Sequence, residues 1–293
     1  MIDLDFATLR ETRAVNPSHI REIFASRRRR ELIRGDGRLF IVAADHPARG
    51  ALGVGSNPTA MADRYVLLER LATALSRPGV DGVLGTPDII EDLALLGLLE
   101  DKIVVGSMNR GGLKGAAFEM DDRFTAYDID GIVRDGLDFA KNLVRINLSD
   151  PGSVDTLEST AIAVSEATDA GIPIMLEPFM SKWVDGSIRN DLSTDAVILS
   201  IGIASGLGNS SSHSWLKIPV VPDMERVMAS TTLPTLLLGG DPSGDLEATL
   251  ESWRRSLALP GVRGLVLGRS ILYPEDNDVT SAIDAAASLV HGA

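Results

Sequence analysis

Lys217 stands in an otherwise apolar run, His213-Ser214-Trp215-Leu216-Lys217-Ile218-Pro219-Val220. The period of two in an extended chain places Leu216, Ile218 and Val220 on one face and Trp215, Lys217 and Pro219 on the other. With the aliphatic face against helices, Lys217 points into the interior of a sheet. Desolvating an ammonium is expensive, so a lysine held there is either chemically used or ion-paired. Burial and a nearby cation lower a lysine pKa, and the neutral amine can attack a carbonyl to form an iminium. Lys217 is therefore the candidate nucleophile.

Three more charged residues fall in apolar runs. In Leu143-Val144-Arg145-Ile146-Asn147, Arg145 shares the inward parity with Asn147. It could be the cation beside the lysine, or it could bind a substrate carboxylate or phosphate. Asp45 ends the first apolar run in Ala43-Ala44-Asp45-His46, and Glu177 ends another in Met175-Leu176-Glu177-Pro178. Either carboxyl suits proton transfer at a carbinolamine and at the hydroxyl next to a breaking carbon–carbon bond; the plainer role is neutralising Lys217 and Arg145. His46 and Arg49, just past Asp45, are expected in the substrate site. Two late runs end in Gly239-Gly240-Asp241-Pro242-Ser243-Gly244 and Gly268-Arg269-Ser270. Gly239, Gly240, Gly268 and Arg269 could hold a phosphate there through backbone amides and a guanidinium. His19 and His291 lie near the ends of the sequence and only His46 and His213 fall near apolar runs, so neither a metal site nor another cofactor is expected.

The elements that must position these residues recur. Apolar runs at 39–44, 81–84, 102–105, 143–148, 173–177, 215–220, 234–238 and 264–267 read as strands. Amphipathic stretches at 60–75, 88–99, 129–142, 154–170, 223–229, 246–257 and 279–290 read as helices between and after them. Eight such alternations predict an α/β fold of parallel strands joined by right-handed crossovers, a (β/α)8 TIM barrel; an open doubly wound sheet is the alternative. One domain is expected over residues 1–293, with 1–37 a helical extension and 38–293 the barrel. A helix at 17–33 would cap the barrel bottom. The longest connection, 107–125, carries Gly111, Gly112, Lys114 and Gly115, and reads as a lid or a surface loop.

Composition narrows the function classes. Forty-one acids against 28 bases give a net charge of −13, which argues against nucleic-acid binding. The one basic run, Arg27-Arg28-Arg29-Arg30, reads as a solvated or subunit-facing helix surface. With no cysteine there is no thiolate nucleophile or disulfide. No apolar run is long enough to cross a bilayer and the first residues do not read as a signal peptide, so a cytoplasmic protein with no membrane partner is expected.

With these residues in place, the chain resembles the class I, Schiff-base aldolase superfamily, which includes tagatose-bisphosphate, archaeal-type fructose-bisphosphate and deoxyribose-phosphate aldolases. Met175-Leu176-Glu177-Pro178 and Trp215-Leu216-Lys217-Ile218-Pro219-Val220 look like the Leu-Glu and Leu-Lys-Val segments of the tagatose branch. Gly268-Arg269-Ser270-Ile271 is similar to the phosphate turn of the archaeal-type enzymes, and Asp45 matches the aspartate that ends their first strand. The resemblance implies Lys217 as Schiff-base residue, Glu177 as acid/base, Asp45 and Arg145 as assistants, and a sugar-phosphate substrate. The chain departs from the pattern at Arg145, where the tagatose branch has a lysine on the fourth strand, and at Ala44-Asp45-His46-Pro47-Ala48-Arg49. That last signature looks like an actinobacterial subgroup of barrel proteins associated with inositol breakdown, which points to 2-deoxy-5-keto-gluconate 6-phosphate. The alternatives are a deoxyribose-phosphate aldolase or acyl-transfer relative using the same lysine, or a non-catalytic sugar-phosphate-binding barrel. A homo-oligomer is expected.

Overall fold

The computed structural model describes residues 4–108, 112–239 and 246–292. Its strands are β1 (Leu39–Ala43), β2 (Gly82–Gly85), β3 (Ile103–Ser107), β4 (Phe139–Ile146), β5 (Ile174–Val184), β6 (Ser187–Asn190), β7 (Ser214–Pro219), β8 (Thr235–Leu238) and β9 (Val262–Leu267). The helices are α1 (Phe6–Val15), α2 (His19–Ser26), α3 (Arg64–Ser76), α4 (Pro87–Leu95), α5 (Ile129–Arg134), α6 (Gly152–Ala170), α7 (Thr194–Ser205), α8 (Met224–Met228), α9 (Leu246–Leu257), α10 (Arg269–Leu272) and α11 (Val279–His291). Neighbouring strands run β4-β3-β2-β1-β9-β8-β7-β5, and β4 pairs with β5 to close the ring. Every pair in that ring is parallel, and β6 is an antiparallel hairpin partner of β5 alone. The molecule is a (β/α)8 TIM barrel. No helix among the described residues is long and apolar enough to cross a membrane.

Alternation along the strands sorts the apolar residues into two clusters. Leu39, Ile41, Val105, Phe139, Met175 and Leu236 fill the inside of the ring. Phe40, Val42, Val104, Leu176, Leu216 and Ile218 point outward into the layer shared with the helices. Closing so small a ring demands close backbone approach at Gly264, where φ is +138° and a Cβ would sit 1.8 Å from the Leu39 carbonyl oxygen.

Several predicted boundaries differ. The expected helix at 129–142 ends at Arg134, because Gly136 takes φ +62° and turns the chain into β4, which begins at Phe139 rather than Leu143. Four further strand residues therefore join the barrel wall, Lys141 among them. Glu177 is not at a strand end: β5 continues to Val184 and folds back through β6 as an arm beyond the ring. Neither that hairpin nor α7 is marked in the periodicity.

The helix expected at 17–33 is instead α2, preceded by α1, and its chain becomes irregular from Arg27. This irregular stretch closes the bottom: Leu32 packs on the inner apolar cluster. The arginines around it are not a solvated helix face. Arg27 is buried, donating to Asp138 at 3.1 Å and to the carbonyls of Lys102 and Gly136 at 2.8 Å each. Arg29 also binds Asp138, and Arg30 binds Asp81. Asp81 and Asp138 immediately precede β2 and β4, so the basic run clasps the amino-terminal rim of the barrel.

Candidate active site

Lys217, on β7, points into the barrel as its parity requires and is buried. Its Nζ donates to Glu177 Oε1 at 2.8 Å. The other carboxylate oxygen of Glu177 lies 2.6 Å from Nζ of Lys141, on the neighbouring strand β4. Lys141 Nζ also donates to Asp45 Oδ2 at 3.1 Å, and Ser107 Oγ donates to the same oxygen at 3.0 Å. Asp45 follows β1, and Ser107 ends β3. Five residues from five strands or strand ends thus form one continuous polar chain, Ser107–Asp45–Lys141–Glu177–Lys217, at the carboxyl-terminal mouth where barrels place their chemistry.

The electrostatics follow from this order. Burial works to raise the pKa of Glu177, but Lys141 and Lys217 outweigh it and hold the carboxyl at about 2, so Glu177 is a carboxylate. Burial lowers the pKa of Lys217; the Glu177 carboxylate opposes this and the Lys141 ammonium adds to it, with a net fall below the ordinary lysine value. Lys141 faces two carboxylates, whereas Lys217 faces one. Lys217 is thus the buried amine held by a single ion pair, and its pKa is lowered by burial.

Arg145 also faces the cavity, yet it is not the cation beside Lys217. It is gripped by Asp122, 2.7 Å from Nη2, and by Glu119, 3.1 Å from Nη1, and it donates to the carbonyls of Gly112 and Glu119. Its work is to pin the segment after β3 to the barrel wall, so the described part of the expected lid, 112–125, is fastened at this point. Lys141, missed in the sequence, takes the place next to Lys217. Lys141 stands on β4 four residues before Arg145, with the same inward parity. The signal for it was the alternation of Phe139, Lys141 and Leu143 after the helix-breaking Gly136.

The expected anion-binding turns lie on the β8–β9 side of the same mouth. Gly268 caps the short α10 and must be glycine, since a Cβ would lie 2.6 Å from the Ala43 carbonyl oxygen and 2.9 Å from His46 Cε1. Gly239 is equally tight against Leu267 and lies near Ser270 Oγ. Arg269 lines the cavity, with Nη1 donating to Gly53 O at 3.4 Å. Ser270 Oγ and His46 Nδ1 are buried without a hydrogen-bond partner among the described residues, which suits them to a polar ligand. Burial pushes the His46 imidazole down to about 3, so it is neutral. Gly240 lies outside the described residues, as does Gly111. All the other predicted site residues, Asp45, His46, Arg49, Arg145, Glu177, Lys217, Gly239, Gly268 and Arg269, line one cavity of about 780 Å³. Among the described residues no group of histidines and carboxylates is arranged to hold a metal ion.

The model of the Cgl0159-like family matches residues 37–287. The crystal structure of Cgl0159 from Corynebacterium glutamicum is 67% identical, with 98% of this chain and 97% of that one covered at a TM-score of 0.96. A Schiff-base-forming fructose-1,6-bisphosphate aldolase is 20% identical over 93% of this chain and all of its own, 100%, at a TM-score of 0.66. An archaeal fructose-1,6-bisphosphate aldolase, with its catalytic lysine bound to the carbinolamine intermediate, is 19% identical over 92% and 99% at a TM-score of 0.64. The last two establish a shared fold. No curated protein matches the chain.

Proposed function

From a chain that belongs to the Cgl0159-like family and carries two buried lysines bridged by one carboxylate at a barrel mouth, we propose a class I aldolase. It cleaves a ketose phosphate to dihydroxyacetone phosphate and an aldehyde through a Schiff base on Lys217. The observation that carries this reading is the Lys217–Glu177–Lys141–Asp45 chain, and the aldolases named above, one with its lysine caught as a carbinolamine, support it.

Neutral Lys217 adds to the C2 carbonyl of the ketose to give a carbinolamine, and loss of water leaves the iminium. Glu177 exchanges the proton between Nζ and the departing oxygen. Lys141 supplies positive charge beside that developing oxyanion. Asp45 accepts the proton of the C4 hydroxyl; the C3–C4 bond breaks, its electron pair enters the enamine on Lys217, and the aldehyde leaves. Protonation of the enamine at C3 and re-addition of water then release dihydroxyacetone phosphate and the free amine. The phosphate sits against Gly239, Gly268 and Arg269, with Ser270 and His46 beside it.

Borohydride reduction in the presence of dihydroxyacetone phosphate, followed by peptide mass spectrometry, tests the reading. The adduct is expected on Lys217, to vanish in Lys217→Met and to survive, formed more slowly, in Lys141→Met. An adduct that moves to Lys141 reverses the two roles; none in the wild type removes the Schiff base altogether.

A further inference from the structure

Helix α7 follows the arm through the short connection 191–193 and packs on β5, β7 and α8. Val197, Ser200, Ile201 and Ala204 form its buried face, at the spacing of a helix laid on a sheet. The opposite face is Asp195, Leu199, Gly202 and, just past the helix end, Gly206, all exposed, with Ile198 and Ile203 half-buried along its two sides. A helix bordered by water carries polar residues on that side. Helices α3, α4, α6, α9 and α11 carry charge beyond their first turns, at Glu69, Glu91, Glu158, Glu251 and Asp284. In α7 no charged residue follows Asp195, and none occurs up to Ser212. Apolar side chains on both faces are why this helix left no amphipathic period in the sequence, and a helix of that kind belongs in an interior.

Charge decides what covers it. At a net charge of −13, two copies of the chain repel over most of their surfaces, and on this uncharged face they can meet without that repulsion. The face is also complementary to itself. In an antiparallel pair of helices related by a two-fold axis between residues 200 and 201, Leu199 of one copy falls opposite Gly202 of the other. Nothing lies within 4 Å of where a Cβ of Gly202 would stand, so the glycine is a hole for the leucine. The same register sets Asp195 opposite Gly206, at the carboxyl end of the partner's α7. There the exposed guanidinium of Arg226, 2.6 Å from Asp195, meets the partial negative charge of that helix end. Each of these contacts occurs twice about the axis.

We propose that the outer face of α7 is the interface of a two-fold dimer of this chain, antiparallel about residues 200 and 201, with Leu199 seated over the partner's Gly202. No residue of α7 lines the cavity at the mouth, so the contact does not depend on the lysine chemistry.

Sedimentation velocity and light scattering over a range of concentrations give the oligomeric state of the full chain. Wild type is expected to be a dimer or an assembly of dimers. Leu199→Glu is expected to weaken the contact about a hundredfold or more, since it buries an unpaired charge at the centre of the interface. Leu199 is 46% exposed in the single chain, so this variant keeps the wild-type circular dichroism. The absence of cysteine permits a second test that needs no disruptive variant. Leu199→Cys mixed with Gly202→Cys and treated with a short bismaleimide is expected to cross-link faster than Leu199→Cys mixed with Glu158→Cys, whose thiol stands on the exposed face of α6. A monomeric wild type, an assembly unchanged by Leu199→Glu, or cross-linking no faster than the α6 control overturns the dimer. The first of these outcomes leaves α7 to a different partner.

Discussion

Glu177 is the residue on which the site turns, because its two oxygens hold two ammonium groups that would otherwise repel each other in a buried space. Its charge also sets the reactivity of Lys217, since a carboxylate at 2.8 Å favours the protonated amine. Glu177→Gln removes that support, so the pKa of Lys217 falls further and the pH profile of adduct formation moves toward acid. The same substitution removes the proton carrier and lowers kcat by about 10²–10⁴-fold. Adduct rates and turnover measured against pH separate the two effects; a profile that stays in place or moves toward alkali would show that Glu177 does not govern the lysine. Lys217, Glu177 and Asp45 could be found in the sequence because each is a charge in an apolar run. A helix over 129–142 hides Lys141, since a lysine on a helix face needs no explanation. Arg145 has the same inward parity as Lys141 and drew the assignment to itself. Only the partners Asp122 and Glu119, brought by a segment that sequence spacing cannot dock, reveal its structural task.

At the scale of elements, strands were legible where alternation was clean and helices where the apolar stripe was long. What escaped was the tertiary use of charge, as the arginine run shows: four adjacent cations look like a solvated surface until Asp81 and Asp138 are found at the starts of β2 and β4. Asp138 accepts from Arg27, Arg29 and the Val104 amide, so it ties the entry segment to two strands at once. Replacing Arg27 with methionine leaves the carboxylate of Asp138 and the carbonyls of Lys102 and Gly136 short of a donor in a dry site. The expected cost is about 3–5 kcal/mol. Arg28→Ala, one residue away, removes exposed pairs with Glu100 and Asp101 and should cost under about 1 kcal/mol. Urea denaturation of the two variants gives the comparison, and similar midpoints would mean the clasp contributes nothing.

For the whole molecule, eightfold recurrence was enough to identify the barrel, because a parallel ring repeats one unit and each unit leaves its own apolar signature. The additions to the ring do not repeat and left none: the β5–β6 arm at the mouth and the fastening of the sequence ends at the base. That fastening has a titratable centre. His291, at the end of α11, places Nδ1 2.7 Å from Asp36 Oδ2 and Nε2 3.2 Å from Asp81 Oδ2. Asp81 in turn accepts from the Phe40 amide of β1 and from Arg30 of the entry segment. The interaction with Asp81, helped by Asp36 and opposed by partial burial, raises His291 from 6.5 to about 9. Because the folded value lies above the unfolded one, the stabilisation is complete below about pH 6.5 and is lost as pH rises through about 9. A change of that size is roughly 3 kcal/mol at most, and water reaching the partly exposed ring and the more exposed Asp36 screens it to about 1–2 kcal/mol. Wild type should therefore exceed His291→Ala by about 1–2 kcal/mol at pH 6 and by close to nothing at pH 10, apart from lost packing. Denaturation curves at the two pH values decide it. A gap of equal size at both would make the histidine a packing residue, and the last helix would then be held to the base of the barrel by shape alone.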